Sequence, residues 1–205
     1  MKGTSESVGI GKEWYEQMEA LEEWMIGKTV DEITGMKFKE NPVGYDDAPD
    51  VEELTSSVTI SVSDYLKVVE EAWENAVDVE NGDKVGLGLV TSIADSKDAE
   101  DDNGPVAQMD TTMTATAFDE DGKVVGTIID TAQIKVEYDK DGKVTSDKDA
   151  EIRTKHEQKE DYGMKGTSES VGIGKEWYEQ MNAFQDWMVG KTVDEITGMK
   201  LTEDA

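Results

Sequence analysis

The sequence predicts an α+β fold in which antiparallel β hairpins pack against amphipathic helices, and three patterns lead to that prediction. Apolar residues recur at helical spacing near both ends of the chain. From Lys84 onward, apolar and polar positions alternate and β-branched residues become frequent. Two Asp-x-Asp-Gly stretches, at 119–122 and 139–142, separate such runs and are typical of tight turns.

Three helices are predicted in the N-terminal part. The first follows Gly11, runs for about four turns and ends near Gly27, because its apolar residues follow spacings of four, three and four: Trp14, Met18, Leu21 and Met25. A Thr-Val-Asp-Glu stretch at 29–32 has the pattern of a capping box and opens a short second helix. The spacing of apolar residues predicts a third helix over about 63–77.

Strands are predicted in the middle of the chain, where the alternating pattern holds. A polar, acidic loop at 95–104 separates the first two strands, and the two Asp-x-Asp-Gly turns form hairpins. The predicted strands lie near 84–94, 106–118, 123–130, 131–138 and 143–146.

Residues 1–40 reappear at 164–203 without a gap, and 33 of the 40 positions are identical. The offset of 163 residues is the size of a domain, which indicates about one and a quarter units of a tandem array. We expect a helical part, 1–80, with the candidate attachment site, and a strand-rich part, 81–205, that ends in the duplicated helices. The strands either pack with 1–80 in a permuted order or pack with 147–205 and take the missing tail from another chain.

The composition argues against several classes of function. Lys and Arg number 20 against 48 Asp and Glu, so the formal charge is −28 at pH 7, which repels nucleic-acid phosphates and anionic lipid. The chain has no cysteine and one histidine, His156, which leaves little for thiolate, iron–sulfur, zinc or triad chemistry. We therefore expect a protein that is not an enzyme, holds no metal, binds no nucleic acid and does not insert into a membrane.

Small hydroxyl residues are concentrated between an acidic loop and the third predicted helix. Capping of that helix by Ser61 or Ser63 accounts for part of this pattern. It does not account for Thr59, whose hydroxyl lies just ahead of the predicted helix, where backbone N–H groups and the helix dipole favour a bound phosphate. The stretch is Glu53-Leu54-Thr55-Ser56-Ser57-Val58-Thr59-Ile60-Ser61.

The heptad Glu53–Thr59 resembles the flavinylation motif of FMN-binding domains, Asp-x-x-(Ser/Thr)-Gly-Ala-Thr. The repeated Gly-Lys-Glu-Trp-Tyr-Glu-Gln-Met helix, the Ser-Ser-Val-Thr-Ile run and the stretch Tyr162-Gly163-Met164-Lys165 extend the resemblance over nearly the whole chain. Together they look like the multi-domain flavinylated surface lipoproteins with which Gram-positive bacteria pass electrons out of the cell. The resemblance implies a sheet of hairpins packed against helices, with the flavin lying against the domain.

The resemblance also implies that a flavin transferase joins FMN through its phosphate to the hydroxyl of Thr59. Glu53, Ser56, Ser57 and Val58 take the positions of the motif's aspartate, hydroxyl residue, glycine and alanine. The other candidate contacts belong to the duplicated segment: Trp14, Tyr15, Trp177 and Tyr178 for the flavin ring, and Lys165 for the phosphate or an anionic flavin.

These features favour an electron-transfer flavoprotein module of an extracellular or cell-surface array, with any signal or lipid anchor outside these residues. Its partners are then redox proteins or extracellular electron acceptors. The alternative is a noncatalytic acidic surface or assembly module, in which the repeat only builds length. If a neighbouring chain supplies the missing tail, head-to-tail contacts do not close and a filament grows.

Overall fold

The chain forms two compact units, Met1–Val77 and Asp78–Ala205. Both units combine helices with antiparallel strands, which confirms the predicted α+β fold. No helix in the described part of the chain is long and apolar enough to cross a membrane. The structure is a computed structural model, which describes residues 6–7, 9–40, 44, 46–100 and 103–201.

The first unit packs its helices around a segment without regular structure, residues 51–62. Its core consists of eight buried side chains: Leu21, Ile33, Met36, Leu54, Val58, Ile60, Val62 and Leu66. Half of them come from the segment 51–62, so this segment is a structural part of the unit rather than a surface loop. The elements are α1 (Trp14–Met25), α2 (Val30–Thr34), β1 (Phe38–Lys39), β2 (Ala48–Pro49) and α3 (Ser63–Glu74).

Local sequence signals set the ends of α1 and α2. The Glu13 N–H donates to the Glu16 carboxylate at 2.7 Å, which starts α1 with a capping box, and Gly27 follows its end with a φ of 81°. The predicted capping box of α2 is present, since the Thr29 N–H donates to the Glu32 carboxylate at 2.8 Å. Bonds from Thr29 lower the pKa of Glu32. α3 stops three residues short of the predicted end.

The second unit contains a three-stranded antiparallel sheet in the order β3 (Lys84–Ser92), β4 (Val106–Phe118) and β5 (Val124–Glu137). The predicted hairpin turn joins β4 to β5: the Asp119 carboxylate accepts the Asp121 N–H at 3.0 Å, and Gly122 has a φ of 77°. The sheet is therefore a meander of two hairpins.

Two strand predictions are wrong. Residues 123–130 and 131–138 form one strand, β5, because no turn residue separates Asp130 from Thr131 and the pairing with β4 continues through both. The short strand predicted at 143–146 is reduced to a single bridge between Tyr138 and Val144. The second Asp-x-Asp-Gly turn nevertheless forms, with Gly142 at a φ of 80°.

Helices from the C-terminal part pack along β5. The side-chain oxygen of Gln185 accepts the Ile129 N–H at 2.6 Å, and the Val124 N–H donates to the Lys191 carbonyl at 2.9 Å. Of the two arrangements left open by the sequence, the strands thus pack with residues 147–205. The helical elements are α4 (Lys155–Gln158), a 3₁₀ turn (Lys159–Tyr162), α5 (Lys165–Glu169), α6 (Trp177–Met188) and α7 (Val193–Thr197).

The duplicated segments adopt the same backbone conformation in both units. We call residues 9–40 the first helical module and residues 172–201 the second helical module. Their helices have equivalent bounds, α1 with α6 and α2 with α7. Gly27 and its equivalent Gly190 both have a φ of 81°. The local sequence therefore determines the module, whatever packs against it.

Candidate functional site

Thr59 is held by a glutamine from the duplicated helix. The side-chain oxygen of Gln17 accepts the Thr59 N–H at 2.9 Å and the Thr59 hydroxyl at 3.2 Å. Gln17 is 1% exposed, whereas Thr59 is half-buried. A buried amide oxygen that receives both donors of one residue fixes the position of that residue strongly.

The neighbours of Thr59 in the chain fix its backbone from the other side. Val58 and Ile60 are both buried in the core of the first unit. The Val58 N–H closes a turn by donating to the Leu54 carbonyl at 2.9 Å. Thr59 therefore lies between two core residues, and its own side chain is left at the edge of the core.

Gln17 is positioned by the start of α1. Its side-chain nitrogen donates to the Lys12 carbonyl at 3.2 Å, which is one of the groups just ahead of the helix. Leu21, one turn further along the same face, is fully buried. The helix thus carries a polar residue within its apolar stripe and directs it toward the segment 51–62.

Ser61 and Ser63 do not cap α3, contrary to the sequence prediction. The N-cap residue is Val62, which makes no side-chain cap, and both serine hydroxyls instead donate to the carboxylate of Asp47. These two hydrogen bonds lower the pKa of Asp47, since they stabilise its charged form. Asp47 thus ties the acidic loop to the start of α3.

The variant Asp47→Asn is expected to lower the free energy of unfolding of the first unit by about 1–2 kcal/mol at neutral pH. The folded-state pKa of Asp47 lies below its unfolded value of 3.8, so its contribution is complete above that value and is lost as the pH falls through the folded value. The difference between wild type and variant should therefore shrink in acid. Hydrogen exchange of the amides of residues 54–66 measures it, and a difference independent of pH would contradict the assignment.

The other predicted residues of the first unit differ in accessibility. Ser56 is exposed, Ser57 is half-buried, and Val58 belongs to the core. Trp14 is 41% exposed and donates its ring N–H to the Tyr65 hydroxyl at 3.3 Å, whereas Tyr15 is 58% exposed. Trp14 and Gln17 lie on the same helix, one turn apart.

The remaining predicted residues lie in the second unit, in a group of aromatic and charged side chains. The Lys155 ammonium lies 5.8 Å from the Trp177 ring, and the Tyr178 hydroxyl donates to the Glu160 carboxylate at 3.0 Å. That bond raises the pKa of Tyr178. The side chain of Lys165 is exposed, and its backbone N–H donates to the carboxylate of Glu176.

Two residues of the site were missed at the level of sequence. Gln17 could have been found, because a glutamine one turn before Leu21 interrupts an apolar stripe and recurs unchanged as Gln180. Asp47 gives no such signal, since it lies in a run of acidic residues that is typical of an exposed loop. Only the folded structure shows that the hydroxyls of Ser61 and Ser63 donate to its carboxylate.

The comparison with known proteins gives one distant similarity. No protein-family model and no solved structure matches the chain. Among curated proteins, the chain is similar to chlorophenol reductase from Desulfitobacterium hafniense, with 32% identity over 122 residues. The match covers 54% of this chain and 36% of the reductase, so the chain spans about a third of the length of that protein. The similarity relates the chain to a redox protein and does not specify a cofactor.

This similarity contradicts the expectation that the chain is not an enzyme, because the similar protein is named as a reductase. The expectation rested on the missing cysteines and the single histidine. That reasoning was incomplete in physical terms, because a bound cofactor can carry redox chemistry that needs neither side chain.

Proposed function

We propose that this chain is a flavin-bearing part of a reductase system and carries FMN covalently at Thr59. The observation that carries the proposal is the geometry of Thr59: a half-buried hydroxyl in a motif-like turn, with its backbone fixed by the buried side chain of Gln17. The distant similarity to a reductase supports the redox role. When bound, FMN supplies the electron-transfer chemistry, and the chain supplies binding and orientation.

The hydrogen bonds around Thr59 are compatible with a phosphoester. Esterification removes the hydroxyl proton, so the bond from Thr59 Oγ1 to Gln17 is lost. The bond from the Thr59 N–H to the same Gln17 oxygen needs no hydroxyl and remains. The buried oxygen of Gln17 is thus never left without a donor, which would be costly. Gln17 therefore holds the attachment residue before and after modification.

The attachment step balances without any redox change. Thr59 Oγ1 forms a bond to the phosphorus of an activated flavin nucleotide, a flavin dinucleotide whose pyrophosphate bond breaks. The hydroxyl proton passes to solvent and the departing nucleotide phosphate takes the bonding electron pair. The maturing enzyme is a flavin transferase, which has to reach the Thr59 hydroxyl at the edge of the core.

Aromatic side chains of the duplicated segment are proposed to contact the flavin ring. Trp14 and Tyr15 are exposed in the first unit, and an exposed aromatic face is a suitable stacking surface. Trp177 and Tyr178 occupy the equivalent positions in the second helical module. Lys165 is proposed to offset negative charge on the cofactor in a chain with a formal charge of −28.

The variant Thr59→Ala is expected to abolish covalent attachment of FMN completely, because alanine offers no oxygen to the phosphorus. The full chain is coexpressed with a flavin transferase, and intact-mass spectrometry is expected to show one added FMN less one water in the wild type and none in the variant. The added mass should be accompanied by the yellow absorbance of the flavin.

The matched control is Thr55→Ala, which removes an exposed threonine hydroxyl from the same turn and should leave the added mass unchanged. Hydrogen exchange of residues 54–66 tests that Thr59→Ala is still folded. An unmodified wild-type chain, made beside a transferase that modifies its known substrate, would overturn the proposal. So would an added mass that persists in Thr59→Ala.

A further inference from the structure

The two helical modules are nearly identical in sequence and backbone, but among the described residues only the first has a segment equivalent to residues 46–74 over its apolar side. In the first unit, residues 46–74 lie over the apolar side of the module, and we call them the cover segment. The cover segment contributes five side chains to the core: Leu54, Val58, Ile60, Val62 and Leu66. They enclose three side chains of the module: Leu21, Ile33 and Met36.

The equivalent positions of the second helical module are more exposed. Met36 is 7% exposed, whereas Met199 is 38% exposed. Ile33 is buried, whereas Ile196 is only half-buried. Phe184, which takes the place of the fully buried Leu21, is half-buried. Its ring stacks on that of Trp187, with the ring centroids 5.7 Å apart. The apolar side that is covered in one copy is therefore partly in contact with solvent in the other.

The polar part of the interface shows the same difference. The side-chain nitrogen of Gln180 donates to the Lys175 carbonyl at 3.0 Å, as that of Gln17 does to Lys12 at 3.2 Å. Both glutamines therefore have the same orientation. The side-chain oxygen of Gln17 accepts two hydrogen bonds from Thr59, while that of Gln180 accepts none from any residue that the structure describes. The acceptor group is present in both modules, but among the described residues only the one in the first module receives a donor.

The replacements between the two modules leave the covered side almost unchanged. Five of the seven replacements fall at positions that are exposed in the first module: Glu19, Glu22, Glu23, Ile26 and Phe38, which become Asn182, Gln185, Asp186, Val189 and Leu201. One of the replacing residues, Gln185, accepts a hydrogen bond from the Ile129 N–H of β5. Among the buried core positions of the module, only Leu21 differs, and Phe184 preserves its apolar character. The surface that recognises the cover segment is thus retained.

We propose that the second helical module binds a further copy of the cover segment, as carried by another molecule of this chain. The sequence contains residues 46–74 once, and the first module holds them. A linked segment has an effective concentration on the order of millimolar for its own module. We take another molecule of this chain as the source of the further copy. The inference does not depend on whether Thr59 carries FMN.

Apolar contacts have to drive this docking, because electrostatics oppose it. The chain has a formal charge of −28, and the cover segment is itself acidic. Like charges repel, and salt screens that repulsion. Binding is therefore expected to strengthen as the salt concentration rises, in contrast to an interface made of ion pairs.

A synthetic peptide of residues 46–77 tests the proposal on the full chain. The peptide carries a photoreactive leucine at position 54, which is 2% exposed in the first unit and so points into the interface. We expect one peptide per chain, crosslinked to the second helical module. Mass spectrometry distinguishes the modules, because Phe184 replaces Leu21. No binding in raised salt, or crosslinks confined to the first module, would overturn the proposal.

The variant Gln180→Ala is expected to weaken peptide binding about tenfold, because the donors of Thr59 in the peptide lose their acceptor. Asp186→Asn is the matched control on the same helix. Its side chain is exposed, and its equivalent in the first module, Glu23, is exposed as well. The control should change affinity less than twofold. If both variants changed the peptide affinity equally, the peptide would not bind the second module through the contact that Thr59 makes with Gln17 in the first unit.

A chain extended after Glu203 by a second copy of residues 41–77 removes the need for affinity between molecules. Its added segment is expected to slow hydrogen exchange within residues 180–199 at least tenfold relative to the 205-residue chain. The same extension with its added copy of Val58 changed to Asp is the control, because a carboxylate cannot enter that core. Unchanged exchange in the extended chain would also refute docking.

Discussion

Met36→Ala is expected to lower the free energy of unfolding of the first unit by about 2–4 kcal/mol, whereas Met199→Ala should change that of the second unit by less than about 1 kcal/mol. The two methionines occupy equivalent positions of the duplicated modules. Met36 is 7% exposed and belongs to the core, whereas Met199 is 38% exposed. Truncation leaves a cavity at the first position and mainly removes exposed surface at the second.

Native-state hydrogen exchange measures the two units separately in the intact chain. The amides of residues 54–66 report on the first unit, and those of residues 125–135 in β5 report on the second. The measurement uses dilute protein, so that docking between molecules does not contribute to the protection of either unit. Equal losses of protection in both variants would mean that the cover segment does not bury Met36 in solution.

The helices were the most predictable part of the fold, because their signals are local. The stripe in α1, the capping box at 29–32 and the glycine at position 27 each act within one or two turns, and all three appear in the structure. The division of β5 into two strands was wrong, because alternation alone cannot show where a strand ends when no turn residue intervenes.

The candidate site was predictable only in part, because its contacts join distant segments. Thr59 stood out through its local motif, but the residue that holds it, Gln17, lies 42 positions away. Ser61 and Ser63 were expected to cap α3 by a local rule, and instead they bind Asp47. Local capping competes with any other acceptor that folding brings near, and sequence spacing does not show that competitor.

The duplication shows how a surrounding segment changes the role of one sequence. The same helix places a glutamine in a core in one unit and at a partly exposed position in the other. Its intramodule bond to the residue just ahead of the helix is the same in both cases. Equivalent substitutions in the two modules therefore compare the same local chemistry with and without the cover segment.

Gln17→Ala is expected to lower the free energy of unfolding of the first unit by about 2–4 kcal/mol. The change removes the acceptor of both Thr59 donors and the donor to the Lys12 carbonyl, and it opens a cavity at a position that is 1% exposed. The loss exceeds that of a single hydrogen bond, because the Thr59 N–H at the edge of the core loses the Gln17 oxygen together with the Thr59 hydroxyl.

Gln180→Ala is the matched control and should change the stability of the second unit by less than about 1 kcal/mol, since it loses one hydrogen bond to the Lys175 carbonyl and one to the Met164 sulfur, a weak acceptor. Hydrogen exchange of the Thr59 and Val58 amides measures the loss of stability in Gln17→Ala. Hydrogen exchange of the β5 amides measures the change in Gln180→Ala. Coexpression with a flavin transferase adds a functional readout, because Gln17→Ala should reduce the proposed modification at Thr59 even where the unit remains folded. If the two variants were equally stable relative to wild type, the hydrogen bonds from Thr59 to Gln17 would not hold the proposed attachment residue in place.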